Sequence, residues 1–126
     1  MWSLLEPIDR RLFRCDYSDV LLLGKTFTRG RLAWPLGFAI HAVNGALFGL
    51  AFDRVRRRVP YRKEQVAIGM ALAEHLALYP LSYFVDRYHP ARGQSGIPPL
   101  VTSARAFAQA TIRHVLFGAV LGRLSR

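Results

Sequence analysis

An all-α fold, a bundle of transmembrane helices, is the class this sequence predicts, and three observations predict it. Residues 32–52, LAWPLGFAIHAVNGALFGLAF, carry no formal charge, and at about 1.5 Å per residue they reach about 31 Å, enough for the hydrocarbon core of a bilayer. Hydrophobic residues make up 52% of the 126 positions, yet 18 Lys and Arg stand against 8 Asp and Glu. The two kinds are segregated: Arg10, Arg11 and Arg14 cluster near the start, and Arg54, Arg56, Arg57, Arg58, Arg62 and Lys63 form one run. Basic ends flanking apolar stretches are the layout of membrane spans. Finally, the pattern H-x-x-x-G-A-x-x-G occurs twice inside apolar runs, from His41 to Gly49 and from His114 to Gly122.

The length allows one domain, so 1–126 reads as a single membrane domain. Its first part, 1–31, does not span: in DYSDVLLLGKTFTRG the apolar core is only VLLLG before Lys25. This predicts an N-terminal amphipathic segment on the membrane surface, with Leu and Phe buried and Arg outward. MWSLLEPIDRRLF lacks a basic stretch followed by a long apolar core, so no cleavable signal is expected. The tetrapeptide LGKT invites comparison with a phosphate loop, which needs a glycine five positions before Gly24; Asp19 stands there instead.

The first span is 32–52, with Pro35 in the first turn, where a missing N–H costs little, and Trp34 at the interface. The second is 66–86, VAIGMALAEHLALYPLSYFVD, where Pro80 deprives the Leu76 carbonyl of its helical partner and predicts a kink. YHPARGQSGIPP at 88–99 is a turn-rich connector. A third span is expected over 99–123, interrupted by Gln109, Arg113 and His114. Arg at a helix centre costs about 2.5 kcal/mol or more on insertion scales, so this helix needs partners.

Residues four apart lie nearly above one another on a helix. Gly37, His41, Gly45 and Gly49 then make one stripe, and Ala110, His114, Gly118 and Gly122 an equivalent one; the second span carries Ala67, Ala71, His75, Tyr79 and Tyr83. Small residues at this spacing let helix backbones approach closely in lipid, so the glycines read as a packing seam. His41, Asn44, Glu74, His75, Gln109, Arg113 and His114 fall at similar depth and read as an intramembrane polar layer, either a structural network or a functional site. Depth and sign make Glu74 and Arg113 each other's expected partner. His89, in the connector, receives no role.

Three functions fit this layer. The first is association, with itself or as an accessory subunit of a larger membrane complex; it needs the least machinery and is the reading preferred. The second is a carrier or channel for protons, small ions or solutes, using Glu74, His75 and Arg113. The third is haem binding, with His41 and His114 as axial ligands. The preferred reading needs no cofactor and no metal, and it contains no catalytic residue. An enzyme is disfavoured: there is no G-x-S-x-G and no Cys–His arrangement, and Cys15 is the only cysteine. Nucleic acid is set aside as a partner because no zinc spacing, RNP-like strand or helix-turn-helix pattern accompanies the charge. The expected partners are a bilayer with anionic headgroups and further copies or subunits. In size and layout the chain is similar to small multi-pass bacterial membrane proteins, which implies a bacterial cytoplasmic membrane.

Overall fold

The computed structural model describes residues 2–125, with side chains from Glu6 onward; Met1 and Arg126, the ends of the domain expected over 1–126, lie outside the described residues. Among the described residues every regular element is a helix, apart from one isolated bridge between Tyr17 and Gly96. The order is α1 (Trp2–Phe13), α2 (Asp19–Phe27), α3 (Ala33–Arg56), α4 (Lys63–Leu78), a 3₁₀ turn (Tyr79–Leu81), α5 (Ser82–Tyr88) and α6 (Ala104–Leu124).

The segment expected to lie on the surface is folded into the molecule as two helices. α1 stops where Arg14 turns left-handed at φ 48°, and the amides of Arg14 and Cys15 bond back to the Arg11 and Arg10 carbonyls at 3.3 and 3.2 Å. Ser18 caps α2 by accepting the Leu21 amide at 3.1 Å. The chain then reverses into α3 in a close hairpin. A Cβ on Gly24 would collide with the Ala33 carbonyl, and one on Gly37 with the Val20 carbonyl. Gly24 of the LGKT stretch is thus a packing residue, while Lys25 donates to the Ser95 carbonyl at 2.8 Å.

α4 and α6 form the central antiparallel pair. A Cβ on Gly118 would stand 2.7 Å from the Ile68 Cα, and one on Gly122 would meet the Glu64 backbone, so these two glycines set the approach of the helices. α3 joins through Phe48 and Phe52, which close a core with Val66, Ala67 and Ala71; the Phe48 ring meets Phe117 edge-on at 5.3 Å. A second core, Cys15, Leu100 and Ala106, ties the α1–α2 loop to the start of α6.

The kink expected from Pro80 is the 3₁₀ turn, where the rod from Lys63 to Tyr88 tightens before α5. The helix expected to form a third span begins later than expected, at Ala104 rather than Pro99. The reason is local: the Asp86 carboxylate takes the amides of Leu100 and Val101 at 2.9 Å, and Tyr79 donates to the Leu100 carbonyl at 2.8 Å. These bonds hold Leu100 and Val101 out of the helix, a turn follows in which the Ser103 amide donates to the Leu100 carbonyl at 3.2 Å, and Ser103 then caps α6 by accepting the Ala106 amide at 3.1 Å.

Two helices are long and apolar enough to cross a membrane, α3 and the Lys63–Tyr88 rod. Only 11% and 17% of their most apolar stretches lie buried inside the molecule, whereas a core helix in water hides most of its apolar surface. α6 is not among them, because Gln109, Arg113 and His114 break its apolar run. Its place is set by α4, whose small residues it grips, and by α1.

Candidate functional site

The most concentrated chemistry in the molecule surrounds Arg113, in the middle of the buried face of α6. A guanidinium carries five N–H donors in a planar fork and cannot shed its charge, so once buried it must be surrounded by acceptors. Three pieces of chain supply them: α1, the α1–α2 loop and α2. Asp9 of α1 accepts from Nε and from Nη2, the latter at 3.0 Å. Asp19, the first residue of α2, accepts from Nη1 at 2.7 Å. The Tyr17 carbonyl accepts from Nη2 at 3.0 Å, and the Tyr17 ring lies 5.4 Å from the guanidinium carbon. Glu6, one turn before Asp9, places Oε1 3.9 Å from Nη1, an ionic neighbour beyond hydrogen-bonding distance.

Glu6, Asp9, Ser18 and Arg113 are all buried, and the two carboxylates that bond Arg113 already exceed its charge. Their environments separate them. Burial pushes Asp19 up, but the Arg113 charge and hydrogen bonds from Tyr17 and Arg113 outweigh it and hold Asp19 below the usual carboxylate range. For Glu6 burial wins: the Ser18 hydroxyl and the more distant Arg113 pull down, Asp19 pushes up, and the carboxyl sits above its ordinary value. The Tyr17 phenol is pushed well up by burial and by Asp19, which keeps it a proton donor.

The expected pairing of Glu74 with Arg113 is therefore not made. Glu74 lies half-exposed on α4, while the partners of Arg113 come from the N-terminal helices. Depth and sign nominated Glu74, but α1 and α2 fold in and bring three acids to Arg113, Glu6, Asp9 and Asp19.

The rest of the expected polar layer divides. His75 and His114 do meet, with rings tilted by 30° and centroids 4.8 Å apart. Thr111 Oγ1 donates to the Phe107 carbonyl at 2.8 Å, so at the 3.0 Å contact with Thr111 it is His75 Nε2–H that donates. His114 Nδ1 donates to the Ala110 carbonyl at 2.7 Å. Gln109 is fully buried, and among the described residues neither of its amide atoms has a hydrogen-bond partner. His41 is half-buried on α3 and is among the groups that help hold the Asp19 carboxyl down. Asn44 is exposed. No group of three or more His, Cys, Asp or Glu among the described residues is placed to hold a metal ion.

The glycine seam also divides. Gly118 and Gly122 face α4, not the stripe on α3, and Gly37 faces α2; beside Gly45 and Gly49 there is open space. The glycines of the second copy of the repeated pattern, Gly118 and Gly122, thus pack on α4, whereas those of the first, Gly45 and Gly49, pack against nothing among the described residues.

His89, to which the sequence assigned nothing, is buried and latches the connector to α2. Its Nδ1 accepts the Ala91 amide at 3.1 Å, which leaves Nε2–H to donate to the Leu22 carbonyl at 2.9 Å. Asp16 does the same from the other side, accepting from Ser95 Oγ and the Gly96 amide at 2.9 Å. The signal for both was the mixture of acids and turn residues in 9–19 and 89–96, legible only once the two stretches are known to touch. No protein-family model matches the chain, and comparisons with curated proteins and with solved structures find no match either.

Proposed function

We propose that this chain is a small multi-pass integral membrane protein whose work is association, in which α3 offers its outer face to a further transmembrane helix of a second copy or of a larger complex. The observation that carries this reading is the state of α3. The helix is 24 residues long, and Trp34, Leu36, Phe38, Val43, Leu47, Leu50 and Val55 all stand exposed on it. In water that surface is a liability; in lipid it costs nothing. Within it, Asn44 is exposed and Gly45 and Gly49 have open space beside them. An amide in hydrocarbon gains from a partner across a helix interface, and glycines beside it let that partner come close.

The test is cross-linking in native membranes. With Cys15→Ser to remove the endogenous thiol, Gly45→Cys oxidises to a discrete dimer or heteromeric adduct, while a cysteine at Leu76, exposed on α4, does not. A chain that stays monomeric with both cysteines, at native expression, overturns the reading. Movement of protons or small ions is the second reading, and the surplus of buried carboxylate around Arg113 favours it. Proton uptake into liposomes holding the purified protein, lost with Asp19→Asn, tests that reading separately.

A further inference from the structure

The ring of acids around Arg113 has one member too many. Asp9 and Asp19 occupy the guanidinium's donors, so the site already holds one negative charge in excess before Glu6 is counted. Glu6 is as deeply buried as Asp9, while the Asp19 side chain stays 24% exposed, and Glu6 stands 3.9 Å from Nη1, outside hydrogen-bonding range. Ionised there, it would add a second uncompensated charge to a dry site, and such charges neutralise rather than persist. Charged and polar groups from α1, the start of α2 and α6 surround it. Arg10 and Asp9 share its helix, Arg113 faces it from α6, and Ser18, Asp19 and Tyr17 face the cluster from the start of α2. His41 of α3 also acts on Asp19, and Asp19 acts in turn on His75 of α4.

We propose that this cluster is a proton-binding site, in which one exchangeable proton on the Glu6 carboxyl keeps α1 docked against α6 and its loss to water releases the helix. The geometry makes the coupling direct, because Glu6 and Asp9 lie on the same face of α1, three residues apart, and both turn toward Arg113. Burial, which places the Glu6 carboxyl above its ordinary value, works in the same direction. The proton favours docking below the ordinary Glu6 range, and the benefit is lost as the pH rises through the higher docked value. Between those limits the docking constant falls about tenfold per pH unit. Asp19 opposes this only at the acid end, where its own protonation removes an Arg113 partner. This inference is independent of what α3 contacts.

Spin labels at Ile8→Cys and Leu116→Cys, both exposed positions, in the full chain carrying Cys15→Ser and held in lipid nanodiscs, report the α1–α6 distance. The expected result between about pH 5 and about pH 9 is a short-distance population that shrinks as pH rises, and that stays constant with Glu6→Gln, which keeps the shape and removes the titration. Infrared difference spectra of the unlabelled protein show a protonated carboxyl band bleaching over the same range. A distance distribution that does not change with pH, or a Glu6→Gln variant that follows the parent profile, overturns the proposal. If Glu6→Gln does not fold, a carboxyl band that fails to bleach in step with the parent's distance change overturns it as well.

Discussion

Arg113 draws bonds from Asp9, Asp19 and the Tyr17 backbone, so its side chain is the place where four segments of chain are joined by one charge. Replacing it by Gln strands the carboxylates, and breaking a buried ion pair from one side costs about 3–5 kcal/mol. The expected outcome for Arg113→Gln is a large loss of thermal stability in detergent, while Glu74→Gln shifts stability by less than about 0.5 kcal/mol. The reverse ranking would restore Glu74 as the charge that matters. Gln109 presents the opposite case, a buried amide without a partner among the described residues. Gln109→Met keeps the volume and removes two unsatisfied polar atoms, so it raises stability by about 1–2 kcal/mol; a loss of that size instead would show that the amide is bonded. Acid acts through Asp19. Its carboxyl is held below the usual range, so its contribution is present above the ordinary Asp value and disappears as pH falls through the lowered one. Asp19→Asn should therefore flatten the acid limb of the stability profile, measured by thermal unfolding at stepped pH.

At the scale of elements the two halves of the repeated pattern separate folding from association. Gly118→Leu drives a side chain into the Ile68 backbone and should unfold the α4–α6 pair or cut its yield severely. Gly45→Leu has open space within the chain, so the fold should survive while any interface on α3 is lost; size-exclusion and thermal melts of the two variants distinguish these effects. The comparison also shows what periodicity could and could not carry. Two apolar helices, the break at Pro80 and the close approach of Gly118 and Gly122 were legible, because each depends on residues near in sequence or on one helix face. Arg113 and His114 were picked out as groups that could not face lipid. Their partners were not legible. Asp9 and Asp19 lie in short helices whose composition suits a membrane surface equally well, and contacts distant in sequence, among them those of Ser18 and Tyr17 with Gly96 and of Cys15 with Leu100, fold these helices in. The late start of α6 escaped for the same reason, since the Asp86 cap acts from across a loop.

The whole molecule has two ends, and the packing decides which residues share one. Gly122 lies against Glu64, and Lys63 donates to the Ser125 carbonyl at 3.1 Å, so the end of α3, the start of α4 and the end of α6 stand together. That end gathers Arg54, Arg56, Arg57, Arg58, Arg62, Lys63 and Arg123 within a few residues of the helix termini. Two of these cations are held by Asp53 and the others on the α3–α4 turn remain at the surface. At the opposite end the bridge of Tyr17 to Gly96 brings the N-terminal helices beside the connector. There Arg10 is paired with Asp16, and Lys25 is engaged by Ser95. Lys and Arg close to span ends resist translocation; the opposite end has nine of its own, Arg10, Arg11, Arg14, Lys25, Arg29, Arg31, Arg87, Arg92 and Arg105, so it is the compactness of the 54–63 run beside two helix ends, not its number, that favours this end as the inner one. We expect the α3–α4 turn to face the cytoplasm of a bacterial cell. In a chain carrying Cys15→Ser and Pro60→Cys, a membrane-impermeant maleimide added to intact cells should leave position 60 unlabelled, and permeabilisation should expose it. The protein should also stay in the pellet after alkaline carbonate extraction, since the exposed faces of α3 and the Lys63–Tyr88 rod need lipid around them. Strong labelling before permeabilisation would reverse the orientation, whereas release by carbonate would remove the bilayer from the account and leave α3 to be covered by protein alone.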